Sequence, residues 1–325
     1  MDLSSTEGFQ ISLHRHKRPI TDLQFNRDGD LLFSASKDSS CCLWRCDGTI
    51  LGTYDGHDGA VTSLAITKDS HMLLTGGGDR KAIIWDVVTG KLRYEISLDS
   101  IIKGVCFYPS DKCMAITCDD SYKQLPIIGI YDTRTCDTLE IFKPDTVPTK
   151  AVINRNETKL VYSDTQGNLN CVDLRTNKII DQKKVHTSRI NSLKTSFCET
   201  FFITGSSDAQ SKIIDFNDLE VKKVFTAEEP INSATIFVDN LKVVCCGGLN
   251  ARDVTSTRGK SYFEVNFYDV ITAKKVGAYG THFGTINSVD VNPNGEMYAS
   301  GGEDGLISIV KFGEDFKKAP FTWIK

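Results

Sequence analysis

One stretch decides the fold, Asp55–Ile96: DGHDGAVTSLAITKDSHMLLTGGGDRKAIIWDVVTGKLRYEI. It contains four short runs of β-forming residues, separated by the Gly, Asp, Ser and Thr residues that are typical of turns. The pair Gly56-His57 lies at the start of the stretch, and Trp85-Asp86 ends its third run. Four runs within 42 residues predict one four-stranded sheet of the kind that forms a blade of a β-propeller.

A Gly-His pair followed by a Trp-Asp pair marks the WD40 repeat, and weaker copies of this unit occur along the whole chain. Successive third runs end 41, 46, 41, 42, 54 and 42 residues apart. Their ends are Trp44, Trp85, Tyr131, Val172, Ile214, Tyr268 and Val310. These seven units predict an all-β, seven-bladed WD40 β-propeller over residues 1–313, followed by a tail at 314–325.

The seventh unit has only three runs of its own, while Phe9–Leu13 precedes the first unit and belongs to no blade. We expect this N-terminal strand to join the last blade as its outer strand and so close the ring, because a blade gains its core from its neighbours. The tail could pack against the ring or meet a partner, and we favour packing. Its large apolar residues are Phe316, Phe321, Trp323 and Ile324.

Composition excludes several classes of protein. A net charge of −4 over 325 residues argues against a general nucleic-acid-binding surface, which is normally basic. The chain has no signal-peptide pattern and no long apolar run, so we expect a soluble, cytoplasmic protein without a membrane segment. None of the 11 cysteines has Cys-x-x-Cys spacing. We therefore expect reduced thiols, no metal and no cofactor.

Four of the six histidines occupy the same position in their repeats. Each is followed 18 residues later by a hydroxyl residue and 22 residues later by an aspartate. The sets are His16, Ser34 and Asp38; His57, Thr75 and Asp79; His186, Thr204 and Asp208; and His282, Ser300 and Asp304.

Hydroxyl, imidazole and carboxylate groups together resemble a catalytic triad. We favour a buried structural hydrogen-bond column, because a nucleophile would need exposure beside an oxyanion site and this set recurs four times. In this interpretation the hydroxyl also meets the indole N–H of Trp44 or Trp85. Where Ile214 or Val310 replaces the tryptophan, we expect the column to end at the hydroxyl. The chain is therefore not expected to be an enzyme.

Several segments resemble one family more closely than WD40 proteins in general, namely subunit i of eukaryotic translation initiation factor three. The resemblance spans nearly the whole chain, although Thr281 and Thr285 stand where the family has Gly and Pro. The matching segments are Arg18–Thr21, Gly29–Ser34, Ser36–Asp38, Leu51–Tyr54, Gly247–Gly248, Ala251–Thr257, Gly259–Lys260, Phe263–Glu264, Phe267–Tyr268, His282–Gly284, Ile286–Val289 and Ser300–Gly305.

This resemblance implies a non-catalytic scaffold that docks other subunits while the small ribosomal subunit is recruited and scans. The implied partners are the b and g subunits, with the small ribosomal subunit reached indirectly, without sequence-specific nucleic-acid binding and without an obligate homo-oligomer. The family's b-subunit helix docks around blades five and six, where this chain has Ile213, Asp215 and Leu249. The alternative is a structural role, with Ile213 in the core and Asp215 as the ordinary aspartate of the Trp-Asp column. An alternative is a signalling adaptor that resembles the kinase-receptor-associated WD40 proteins. The motif Arg252–Thr255 favours the initiation factor.

Overall fold

The structure is a computed structural model that describes residues 9–249 and 263–313. Its strands form seven four-stranded antiparallel sheets, which confirms the predicted seven-bladed β-propeller. The tail at 314–325 and the motif Arg252–Thr255 lie outside the described residues. The described part of the chain contains no helix that is long and apolar enough to cross a membrane.

The blades follow one another along the chain, and in each blade the first strand lies at the central channel and the last at the rim. Blade 1 consists of β2 (Ile20–Phe25), β3 (Leu31–Ser36), β4 (Ser40–Arg45) and β5 (Ile50–Asp55). Blade 2 consists of β6 (Val61–Ile66), β7 (Met72–Gly77), β8 (Lys81–Asp86) and β9 (Leu92–Ser97). Blade 3 consists of β10 (Ile102–Phe107), β11 (Cys113–Cys118), β12 (Ile127–Asp132) and β13 (Thr138–Phe142).

The second half of the ring repeats this order. Blade 4 consists of β14 (Pro148–Ile153), β15 (Lys159–Asp164), β16 (Asn168–Asp173) and β17 (Lys178–Lys184). Blade 5 consists of β18 (Ile190–Thr195), β19 (Phe201–Ser206), β20 (Gln210–Asp215) and β21 (Val221–Thr226). Blade 6 consists of β22 (Ile231–Ile236), β23 (Lys242–Gly247), β24 (Glu264–Asp269) and β25 (Lys275–Gly280). Blade 7 consists of β26 (Ile286–Val291), β27 (Met297–Gly302), β28 (Ile307–Lys311) and β1 (Gln10–Leu13).

The core lies between blades, and not inside any one of them. Side chains alternate across a strand, so neighbouring residues of β8 serve two different clusters. Ile83 packs with residues of blade 1, whereas Ile84 packs with residues of blade 3. This double burial explains why the third runs of the repeats read as continuous apolar segments.

The N-terminal strand closes the ring as predicted. β1 pairs antiparallel with β28, with Leu13 opposite Ile307. The side chain of Leu13 is 4 % exposed and belongs to the cluster that joins blade 7 to blade 1, together with Ile20 and Trp44. The chain therefore starts and ends its propeller in the same blade.

Ion pairs cross the central channel between blades that are not neighbours. Lys150 Nζ of blade 4 lies 3.3 Å from Asp22 Oδ2 of blade 1. Lys194 Nζ of blade 5 lies 3.2 Å from Asp290 Oδ1 of blade 7. Burial by itself would raise the pKa of Asp22, but Lys150 and Lys194 lower it below its ordinary value. At one mouth of the channel, Lys68 of blade 2 pairs with Glu199 of blade 5 at 2.6 Å.

We expect Leu13→Ala to lower the free energy of unfolding by about 2–5 kcal/mol, because it removes buried methyl groups at the point of closure. The control is Phe9→Ala, since Phe9 is 66 % exposed and its truncation should change stability by about 0.5 kcal/mol or less. Equilibrium urea denaturation followed by tryptophan fluorescence measures both variants. Equal midpoints for Leu13→Ala and the unmodified chain would contradict this account of closure.

Candidate functional site

The structure brings the four His-Asp-hydroxyl sets together within hydrogen-bonding distance. In blade 2, His57 Nδ1 lies 2.9 Å from Asp79 Oδ2, and His57 Nε2 lies 2.8 Å from Thr75 Oγ1. The indole N–H of Trp85 donates to the same hydroxyl oxygen at 2.9 Å. In blade 1, His16, Asp38, Ser34 and Trp44 repeat this geometry.

The order of donors and acceptors follows from the carboxylate at one end of the column. Asp79 can only accept when it is ionised, so Nδ1 of His57 carries a proton and Nε2 is left as an acceptor. The Thr75 hydroxyl then donates to Nε2, and its oxygen accepts from the indole of Trp85. Asp79 also accepts from the backbone N–H groups of Asp58 and Lys81, at 3.0 and 3.2 Å. The column therefore ties two connecting loops to strands β7 and β8.

Of the two columns that lack a tryptophan, that of blade 5 ends at the hydroxyl, whereas that of blade 7 continues to a further hydroxyl, contrary to our expectation. In blade 5, the Thr204 hydroxyl donates its one proton to His186 Nε2 at 2.8 Å. In blade 7, the hydroxyl of Thr281 lies 3.4 Å from that of Ser300. Thr281 is one of the departures from the family pattern, and it places a hydroxyl beside the column of blade 7.

Burial decides what these groups can do chemically. The four histidine side chains of the columns are 0 % exposed. The four hydroxyl residues, Ser34, Thr75, Thr204 and Ser300, are equally inaccessible. A substrate cannot reach these hydroxyls in this arrangement, so the geometry supports a structural role for the columns.

Burial also sets the protonation states. It lowers the pKa of His16 and of His186 below 6.5, an effect that outweighs the neighbouring Asp38 and Asp208 carboxylates. Burial alone would raise the pKa of Asp38, but the hydrogen bonds from Lys17 N–H and the Ser40 hydroxyl bring it to about 2. At neutral pH these two columns therefore contain neutral imidazoles beside ionised carboxylates.

The three candidate interface residues do not form one contact point. Ile213 is 7 % exposed and packs in the core between blades 5 and 6. Asp215 is the last residue of β20, and its carboxylate accepts from Asn217 N–H in the following turn at 2.8 Å. Leu249 follows β23 at the opposite end of the strands, and its carbonyl accepts from the Thr285 hydroxyl. Because a six-residue strand is about 20 Å long, Asp215 and Leu249 lie on opposite faces of the ring.

Other clusters of polar groups contain side chains that are already paired. The central channel encloses a cavity of about 370 Å³, but its Lys150 and Lys194 are bound to aspartates. Asp119, beside a second acidic residue in its loop, pairs with Lys103 at 2.9 Å. No group of three or more His, Cys, Asp or Glu side chains within 9–249 and 263–313 could hold a metal, and all 11 cysteines are free thiols.

Sequence reasoning missed the ion pairs of the channel and the exposed apolar residues of the outer strands. The signal for the first was present, since Lys150 and Lys194 each interrupt a first run that is otherwise apolar or weakly polar. The signal for the second was the alternation of apolar and charged residues in the fourth runs, such as Thr138–Phe142. Neither pattern shows by itself which residue lies opposite.

We expect Asp79→Ala to lower the free energy of unfolding by about 1–3 kcal/mol, because the buried N–H of His57 would lose its acceptor. Asp58→Ala is the matched control on the same loop, since the Asp58 side chain is 83 % exposed. Thermal melting followed by circular dichroism compares the two variants. An unchanged melting temperature for Asp79→Ala would count against the structural role.

Acid should destabilise the protein in two steps. The unfolded histidines titrate near 6.5 and the folded pKa values of His16 and His186 are lower, so stability is lost as the pH falls below about 6.5. A second loss follows between 3.8 and about 2 as Asp38 is protonated. Urea midpoints at pH 7.5 and 5.5 test the first step. His186→Gln should reduce the difference, whereas His71→Gln, outside the columns, should preserve it; equal midpoints for the unmodified chain would refute the first step.

Comparison with known proteins assigns the chain to a family. The family model EIF3I matches residues 10–322. A Bombyx mori protein named eukaryotic translation initiation factor 3 subunit I is 35 % identical, over 96 % of this chain and 98 % of its own length. Proteins of the same name are 35 % identical in Drosophila willistoni, over 94 % of this chain and 98 % of theirs, and 33 % identical in Aspergillus terreus, over 94 % and 95 %. The chain therefore belongs to the family of subunit I of eukaryotic translation initiation factor 3, a component of the multisubunit factor that acts in translation initiation.

Proposed function

We propose that the chain is a non-catalytic docking subunit of initiation factor 3, acting in the cytoplasm. It binds the b and g subunits directly and reaches the small ribosomal subunit only through them. The observation that carries this proposal is the state of the hydroxyl and imidazole groups of the columns, which are buried in a rigid propeller. Because the hydroxyl and imidazole groups of the columns are inaccessible, the surfaces open to other proteins are the two faces and the rim of the ring.

The geometry favours an extended contact with the b subunit. Asp215 and Leu249 lie near opposite ends of blades 5 and 6, so a segment that touches both must run along the strands and span about 20 Å. Ile213 contributes by holding β20 in place through the core between these blades. A stable interface buries about 1,200–2,000 Å² in total, so the rim of the two blades must supply most of it.

The charge of the chain fits contacts with proteins better than contacts with RNA. A net charge of −4 gives no general attraction to phosphate, and Asp215 adds a local carboxylate to the proposed interface. We therefore propose that the chain binds no specific nucleic-acid sequence. We also propose that it is not an obligate homo-oligomer.

Affinity purification of the tagged chain from its own cells, with mass spectrometry at moderate salt, should recover the b and g subunits together with small ribosomal proteins. Asp215→Lys should reduce recovery of the b subunit at least tenfold, because a charge reversal at an interface costs affinity. Asp132→Lys is the matched control, since Asp132 caps the equivalent turn of blade 3 through Arg134 N–H at 2.8 Å.

Equal loss of the b subunit in both variants would show that the damaged turn is responsible, and would refute the interface at Asp215. Recovery of kinases or receptor components in place of initiation subunits would favour the signalling adaptor.

A further inference from the structure

All seven blades share one corner, at which the residue before the second strand meets the turn after the third strand. In blade 6, for example, the backbone N–H of Val270 donates to the carbonyl oxygen of Leu241 at 2.9 Å, and each other blade forms the equivalent bond. The residues before the second strands are Asp30, His71, Lys112, Thr158, Thr200, Leu241 and Glu296. Among these seven described residues, only Leu241 is a large apolar one.

The turn itself makes the corner of blade 6 distinctive again. The second residues of the seven turns are Asp47, Val88, Arg134, Arg175, Asn217, Ile271 and Gly313. Leu241 and Ile271 are 39 % and 58 % exposed. Within 9–249 and 263–313, the corner of blade 6 is therefore the one that presents two large apolar side chains to solvent, and such surface marks a contact site.

The chain reaches its tail at 314–325 close to this corner. Phe312 donates its backbone N–H to the carbonyl oxygen of Glu296 at 2.8 Å, which fixes it at the corner of blade 7. Its ring centroid lies 5.5 Å from that of Phe237 in blade 6. Phe237 begins the turn that leads to Leu241, since its N–H donates to the carbonyl oxygen of Lys242 at 2.9 Å. The chain that precedes the tail is thus in contact with the turn that carries the apolar corner.

The corner on the other side of blade 7 has the opposite chemistry. At the same two positions, blade 1 presents Asp30 and Asp47. The tail begins with Glu314 and Asp315, whose carboxylates would be repelled by these two aspartates. Charge therefore directs the tail away from blade 1.

The surroundings of the blade 6 corner are basic. Lys242 begins β23 directly after the corner, with its Nζ 4.0 Å from Asp239 Oδ2. Lys223 Nζ of blade 5 lies 2.8 Å from the carbonyl oxygen of Ile271. These two cations suit the acidic start of the tail.

The tail has the composition and the length to cover this corner. Its large apolar residues are Phe316, Phe321, Trp323 and Ile324. An extended chain spans roughly 3.3 Å per residue, so Phe316 lies within roughly 10 Å of Gly313 and Trp323 within roughly 33 Å. All four side chains can therefore reach Leu241 and Ile271.

We propose that residues 314–325 dock on the corner of blade 6, where their aromatic side chains cover Leu241 and Ile271. The occupant of this apolar surface is the chain itself, and neither a second copy nor another protein. The inference concerns a contact within one chain and does not rest on the proposed function, so its failure would leave that function untouched.

Trp323 reports on this contact in the full-length chain, because the other two tryptophans, Trp44 and Trp85, are 4 % and 2 % exposed. Acrylamide quenching, after subtraction of the signal of Trp323→Phe, measures the accessibility of Trp323. We expect a quenching constant about threefold lower than that of a synthetic peptide of residues 314–325, because packing against the blade shields the indole. Equal constants would overturn the proposal, and so would shielding that disappears on dilution, which would indicate a second copy as the occupant.

A double variant locates the contact. Leu241→Ser with Ile271→Ser should raise the quenching constant of Trp323 to that of the peptide. The matched control is His71→Ser with Val88→Ser, at the same two positions of blade 2, where Val88 is 78 % exposed. This control should leave the quenching constant unchanged. An unchanged constant in the blade 6 variant would overturn the proposal.

Photocrosslinking tests the same contact with the corner unaltered, so it decides the question even if the double variant fails to fold. Phe321 is replaced by p-benzoylphenylalanine in the full-length chain, which is irradiated, digested and examined by mass spectrometry. We expect crosslinks within the same chain to residues 237–242 or 269–274. Crosslinks to blade 1, crosslinks between two copies, or no crosslink to blade 6 would overturn the proposal.

Discussion

The closure of the ring depends on the pairing of β1 with β28. Each hydrophobic cluster of the described residues joins two adjacent blades, so no blade holds a core of its own. A linear array of such blades would leave one apolar face exposed at each end. The pairing of residues from opposite ends of the chain removes both exposed faces, at the cost of bringing together segments almost 300 residues apart.

Within this closed ring, the four columns fix the loops that would otherwise move freely. Asp79 and its counterparts each bind an imidazole and backbone N–H groups of two different connections. Each hydrogen bond of a complete column adds only modestly to the free energy of unfolding. Removing one partner lowers that free energy by more, because a buried donor is left without an acceptor. This asymmetry explains why a set that resembles a catalytic triad recurs where no substrate can enter. The connecting loops are therefore held to the strands by buried hydrogen bonds.

The sequence was sufficient for the blades and for the columns, because both repeat at a fixed period and each copy supports the others. It was insufficient to predict which residues lie together on one surface. Asp215 and Leu249 were assigned to one interface because they lie in consecutive blades. Asp215 ends a third strand and Leu249 follows a second strand, and these strands run in opposite directions. For Ile213 the sequence left an interface and a core position open, and alternation along β20 directs it into the core. Lys150 and Lys194 find their partners across the ring, at separations that no local pattern encodes.

Those cross-channel ion pairs have a mechanical consequence. A ring whose members touch only their neighbours can flatten into an ellipse while each seam opens very little. The ion pairs from blade 4 to blade 1, from blade 5 to blade 7 and from blade 5 to blade 2 resist this flattening, because they would have to lengthen when the diameter of the ring changes. They lie in or beside a partly buried channel, where charges are less screened than at the surface. The distance between opposite points of the ring is therefore held by direct contacts across the channel as well as by contacts between neighbouring blades.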